Sequence, residues 1–194
     1  MERYAYHRLP PGEQRIRLLH ILPGSGTNDI HCKMFNYQIN INRPFGMYEA
    51  LSYRWGDPTG PRKIYIQNSG LATFRSLDVT KNLYAGLQRL RDPDLPRTVW
   101  IDAICINQED LGERGQQVSF MTTIYANACQ VVVWLGHSPE DNKTSRKQFK
   151  AFEAIKQTSS RAIESSEPKG KIPDTLCELL RNEWFSRVWV RDHW

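Results

Sequence analysis

Residues 97–136, RTVWIDAICINQEDLGERGQQVSFMTTIYANACQVVVWLG, constrain the fold more than any other stretch. Val99, Trp100 and Ile101, and the run from Val131 to Leu135, are short, β-rich and apolar. That is the composition of strands buried on both faces of a parallel sheet. Between them Val118, Met121, Ile124, Tyr125 and Ala128 recur at three- and four-residue steps, which predicts one face of a helix. Asp110 and Glu113 have the spacing of a capping box that starts this helix. Strand, loop, helix and strand together make a βαβ unit with a right-handed crossover. Ligands of open α/β sheets sit at the carboxyl ends of the strands. The loop over 102–110, with Asp102, Asn107, Gln108 and Asp110, falls at such an end.

The preceding segments add strands to this unit. RIRLLHIL at 15–22 and IHCKMFNYQINI at 30–41 read as two strands of a hairpin, turned by Pro23-Gly24-Ser25-Gly26. This hairpin is expected beside the main sheet or extending its edge. YEALSYRWGD at 48–57 begins as a strand and stops at Gly56-Asp57-Pro58, so Ser52, Arg54, Trp55 and Asp57 fall near its carboxyl end. A hydroxyl, a guanidinium and a flat indole suit hydrogen bonding, phosphate pairing and base stacking. They equally suit a core tryptophan and an arginine paired with a nearby acid. Residues 63–66 form another short strand. Thr80 is placed to cap a helix with Leu83, Leu87 and Leu90 along one face, ended by Pro93 and Pro96. Further helices are expected over 145–163 and 174–189.

Composition narrows the function classes. The 194 residues suit a core-forming domain, and 40% hydrophobic with 24% charged residues is a globular balance. No apolar run approaches the ~18 residues of a membrane span, and the amino-terminal stretch has no apolar leader core. The four cysteines form no C-x-x-C pair and no zinc spacing with the histidines, so no metal is expected. Cys105 and Cys129, in apolar surroundings, read as small hydrophobes of a reduced, cytoplasmic protein. Eight basic and three acidic residues lie between Lys143 and Lys171, a surplus equal to the whole net charge of +5. With only Phe149 and Phe152 as aromatics there, a solvated insertion is expected rather than a nucleic-acid surface. Ser52 has no histidine at a suggestive spacing and no glycine loop resembles a phosphate cradle.

Three blocks carry a family resemblance: YEALSYRWGD, then VTKNLYAGLQRLR at 79–91, then WIDAICINQEDLGERGQQVSFMTTIYANACQVVVWLG at 100–136. In this order they resemble the fungal heterokaryon-incompatibility (HET) domain, as do IRLLHILPG at 16–24 and WFSRVWV at 184–190. HET domains are distantly similar to TIR domains, and LSYRWGD resembles the TIR first-strand box F-L-S-F-R-G-x-D. The resemblance implies an α/β fold, a TIR- or flavodoxin-like parallel sheet with flanking helices, carrying an N-terminal β-hairpin extension. It divides the chain into a β extension at 1–47 and a HET domain at 48–194. It implies a role in non-self recognition and programmed cell death signalling, through self-association or other protein partners.

Some TIR domains also cleave the nicotinamide–ribose bond of NAD, through an oxocarbenium-like state that a nearby carboxylate stabilises. The resemblance therefore implies an NAD-type nucleotide framed by Ser52, Arg54, Trp55, Asp57, Asp102 and Asn107. The TIR glutamate lies in a W-C-x-x-E motif whose HET counterpart, W-V-V-Q-E, aligns with Trp189, Val190, Arg191, Asp192 and His193. His193 thus stands at the glutamate position, which suggests a short or C-terminally truncated member. Asp102 and Glu113 are the replacement acids, Glu113 also having its capping role. An NAD glycohydrolase, or an inactive decoy that binds full-length HET proteins, are the alternative readings.

Overall fold

The computed structural model of the chain describes residues 2–9, 14–26, 28–40, 46–68, 70, 72–136 and 184. The chain divides into two compact units, Met1–Gly136 and His137–Trp194, and every element below belongs to the first. Strands β1 (Arg15–Ile21), β2 (His31–Gln38), β3 (Glu49–Tyr53), β4 (Arg62–Asn68), β5 (Arg75–Val79), β6 (Arg97–Trp100) and β7 (Gln130–Trp134) form one sheet. Their order is β5-β4-β2-β1-β6-β3-β7. β1 and β5 run against the other five strands, so the α/β sheet is mixed, with a parallel group β6-β3-β7 at one end. The helices are α1 (Lys81–Leu90), α2 (Asp102–Cys105), α3 (Leu111–Ser119) and α4 (Met121–Asn127).

Side-chain alternation places these helices. Ala50 and Tyr53 in β3 are three residues apart and point to opposite faces. Trp100 pairs with Ala50 and meets the Tyr125 ring of α4 edge-on at 5.5 Å. Trp134 pairs with Tyr53 and lies against Gly86 of α1, where an added Cβ would come within 3.2 Å of the indole. α1 and α4 therefore cover opposite faces of the sheet. α1 starts as its sequence predicts: the Thr80 hydroxyl accepts from the Leu83 N–H, and Leu83, Leu87 and Leu90 are buried.

Several expectations need correction. The hairpin β1–β2 forms, but β6 flanks it on one side and β4 on the other, so it lies within the sheet. β5 has no counterpart in the sequence reading; RSLDV is short, with two apolar residues, and forms by pairing with β4. The loop after β6 begins as a helical turn, α2. The helix starting at Asp110 is broken at Phe120 (φ −89°, ψ −6°), whose N–H donates to the carbonyls of Gln117 and Val118. Ser119, Thr122 and Thr123 flank this break with low helix propensity. Val118 is consequently exposed while Ile124 is buried, so the expected single face is split. Val131 and Val133 are 48% and 41% exposed rather than buried on both faces, because β7 ends the sheet among the described residues. Cys129 is exposed, whereas Cys32 and Cys105 are buried, and burial pushes the Cys105 thiol up to about 12. The helix expected over 145–163, that over 174–189 apart from Trp184, and the basic stretch lie outside the described residues.

A buried ion pair joins the hairpin to the central unit. Arg17 of β1 holds Glu113 of α3 with both guanidinium nitrogens, Nη1 to Oε1 at 2.5 Å and Nη2 to Oε2 at 2.8 Å. The two side chains are 2% and 7% exposed. Nη1 also donates to the Cys105 carbonyl and Nη2 to that of His7, while the Tyr6 ring covers the guanidinium at 5.1 Å. Asp110 caps α3 as expected, accepting from Gly112 and Glu113 N–H at 3.0 Å each. Glu113 does not complete the capping box; it accepts instead from the Asn107 N–H at 2.7 Å. Glu113→Ala strands the Arg17 charge and is expected to lower stability by about 3–5 kcal/mol in urea denaturation. The double replacement Arg17→Met, Glu113→Leu is expected to cost clearly less than that single change.

Candidate functional site

β6, β3 and β7 run parallel side by side, so Trp100, Tyr53 and Trp134 end at a common edge. That is where ligands of open α/β sheets sit. The chain leaving β3 carries Arg54 and Trp55, and the chain leaving β6 begins α2 with Asp102. The two meet: Trp55 Nε1 donates to Asp102 Oδ2 at 2.9 Å. Asp102 Oδ1 accepts from the Ala103 N–H at 2.8 Å, and Gln108 Nε2 donates to the Asp102 carbonyl at 2.9 Å. Asp102 is only 6% exposed, so its carboxylate needs the Trp55 and Ala103 donors. Trp55 is 43% exposed, which removes the reading of it as a core tryptophan.

The other expected residues divide around this contact. Arg54 is exposed beside Trp55. Ser52 is buried inside β3 at 2% exposure, on the face of Ala50. Asp57 closes its own turn, its carboxylate accepting from Thr59 N–H at 2.8 Å and Thr59 Oγ1 at 2.6 Å. Those hydrogen bonds hold the Asp57 carboxyl below its ordinary range. Asn107 Oδ1 accepts from Glu109 N–H, holding the turn before α3. Glu113 is in the ion pair with Arg17. The geometry thus brings Trp55 and Asp102 together with Arg54 alongside, and gives Asp57, Asn107 and Glu113 bonds that shape the surrounding backbone. His193 lies outside the described residues.

Two residues at the start of α1 complete the edge. Thr80 Oγ1 donates to the Trp55 carbonyl at 2.6 Å, and Asn82 Nδ2 donates to the Arg54 carbonyl at 2.5 Å. Trp134 Nε1 donates to both Asn82 O and Oδ1, at 3.1 and 3.0 Å. Thr80 was legible as a helix cap but not as a partner of Trp55. Asn82 carries no spacing signal, and nothing in the sequence pointed to its place at this edge.

A cavity of about 190 Å³ lies elsewhere, among Tyr4, His7, Arg17, Met34 and Asn68, and none of its lining residues belongs to this edge. Its volume is below the ~300 Å³ of ordinary ligand sites, and the Arg17 charge in its wall is already paired. Among the described residues no group of three His, Cys, Asp or Glu side chains is placed to hold a metal ion, and no helix is long and apolar enough to cross a membrane.

A family model described as "Heterokaryon incompatibility protein (HET)" matches residues 48–192. The chain is also similar to "Heterokaryon incompatibility protein 6, OR allele" of Neurospora crassa, 41% identical over 136 residues. The alignment covers 66% of this chain and 19% of that protein, so the chain spans about a fifth of its relative's length. No solved structure matches.

Asp102→Ala removes the acceptor of both Trp55 and the Ala103 N–H, and is expected to cost about 1–3 kcal/mol in urea denaturation. Trp55→Phe, at a half-open position, is expected to cost less.

Proposed function

The chain belongs to the heterokaryon incompatibility family, and we propose that it acts in fungal non-self recognition as a module whose engagement with protein partners sets off programmed cell death. The observation carrying this reading is the family match over 48–192, which includes β3, β6 and β7 and hence the whole Trp55–Asp102 edge. Among the described residues, Leu111 and Val118 on α3 and Val131 and Val133 on β7 are exposed apolar side chains. Exposed apolar groups of this kind favour protein contacts, in self-association as in binding other HET proteins.

Inducible expression of the full chain in a filamentous fungus tests the role. Growth arrest and loss of cell viability are expected soon after induction, and Trp55→Ala is expected to abolish them at equal protein level. Undisturbed growth with the chain accumulating intact contradicts the reading.

The Trp55–Asp102 contact also favours a second reading, an NAD-type nucleotide bound at the same edge in the manner of TIR domains. The half-exposed indole would stack on a planar base, the Arg54 guanidinium would pair with phosphate, and the Asp102 carboxylate would accept from ribose hydroxyls. In hydrolysis, water adds to the ribose carbon as nicotinamide leaves, and Asp102 would offset the positive charge developing on the sugar. Release of nicotinamide from NAD by the purified chain, lost in the Arg54→Ala, Asp102→Ala double variant, is the expected result. No release from folded protein leaves only the partner-binding reading.

A further inference from the structure

We infer that Asn82 is the positioning residue of this edge, fixing the backbone from which Trp55 reaches Asp102 by tying the loop after β3 to the end of β7. The inference rests on reading the edge as the functional site. Asn82 is the second residue of α1 and touches both flanking segments through one planar amide. Its Nδ2 end donates to the Arg54 carbonyl at 2.5 Å. Its Oδ1 end accepts from Trp134 Nε1 at 3.0 Å, and its main-chain carbonyl takes a second share of the same N–H at 3.1 Å. Turning the amide over would set acceptor against acceptor at Arg54 and donor against donor at Trp134, so its partners fix its orientation.

The fit is steric as well as polar. Gly56, at φ +77°, lies so close that an added Cβ would be 3.1 Å from Asn82 Cβ, and one on Gly136 would be 3.5 Å from Oδ1. Thr80, two residues earlier, holds the next carbonyl, that of Trp55, at 2.6 Å. Two consecutive carbonyls of the loop are therefore bound to one helical turn. The Trp55 Cα is set by α1, and the indole then spans to Asp102 at 2.9 Å. Asparagine alone supplies a donor and an acceptor at this length: aspartate repels the Arg54 carbonyl, and leucine offers neither bond.

The test follows the indole N–H signals in proton–nitrogen spectra of the full chain, with Trp55 and Trp134 assigned by Trp55→Phe and Trp134→Phe. Asn82 makes no hydrogen bond to the Trp55 side chain, so a merely local structural role would leave the Trp55 signal in place. We expect Asn82→Ala and Asn82→Asp both to shift it and to speed its exchange with solvent by about tenfold, the equivalent of losing one hydrogen bond. Asn82→Asp keeps the acceptor for Trp134, so the Trp134 signal should hold in that variant and move in Asn82→Ala. An unmoved Trp55 signal in either folded variant overturns the inference. The readout needs neither ligand nor cellular activity. A moved Trp55 signal in a chain whose Trp55→Ala variant still arrests growth therefore upholds Asn82 as the positioning residue while overturning the assignment of the edge.

Discussion

β3 has a parallel partner on each side, β6 through Glu49 and Ala50 and β7 through all five of its residues. Parallel neighbours require crossovers, and a crossover returns the chain to the amino end of the next strand. The carboxyl ends of β6, β3 and β7 therefore share one edge, along with the start of α1. A five-residue strand, EALSY, thus decides that Trp55 can meet Asp102, 47 positions later. Its burial supports that placement: Ala50, Leu51 and Tyr53 are at most 1% exposed, and the Tyr125 hydroxyl of α4 donates to the Leu51 carbonyl. Where β3 ends, Arg54 and Trp55 are both exposed, and the side chains pass from the packed core to the surface.

The second half of the sheet reaches this edge through Arg17. Its guanidinium collects Glu113, two carbonyls and the Tyr6 ring, joining β1, the amino-terminal segment and the turn before α3. The Asn107 N–H on the same Glu113 oxygen, and Gln108 on the Asp102 carbonyl, continue the connection to the site. Replacing a buried ion pair by apolar groups is often neutral, whereas halving it is not. This pair therefore matters for where the 107–113 turn sits more than for how strongly the hairpin binds.

Much of this was legible in the residues. Local rules found the hairpin, β3, the Thr80 cap and the Asp110 cap, because each depends on neighbours a few positions away. The carboxyl-end rule brought Arg54, Trp55 and Asp102 to one place before any coordinates did. β5 escaped because RSLDV becomes a strand through β4, and the break at Phe120 escaped because the three- and four-residue pattern runs across it. The exposure of Val131, Val133 and Cys129 depends on which strand ends the sheet, a fact of topology that composition does not encode. Asn82 escaped for the same reason: its value lies in joining Arg54 to Trp134, 80 positions apart in sequence and brought together only by the β3–β7 pairing.

We hold that the domain acts through the carboxyl-end edge of β6, β3 and β7. A scan of single exposed side chains in the fungal growth assay, matched for protein level, tests it most directly. Loss of arrest is expected to concentrate at Arg54 and Trp55, while changes at Leu95 and Lys63, both exposed and outside that edge, leave arrest intact. Losses confined to those other positions, with Arg54 and Trp55 replaceable at no effect, would contradict it.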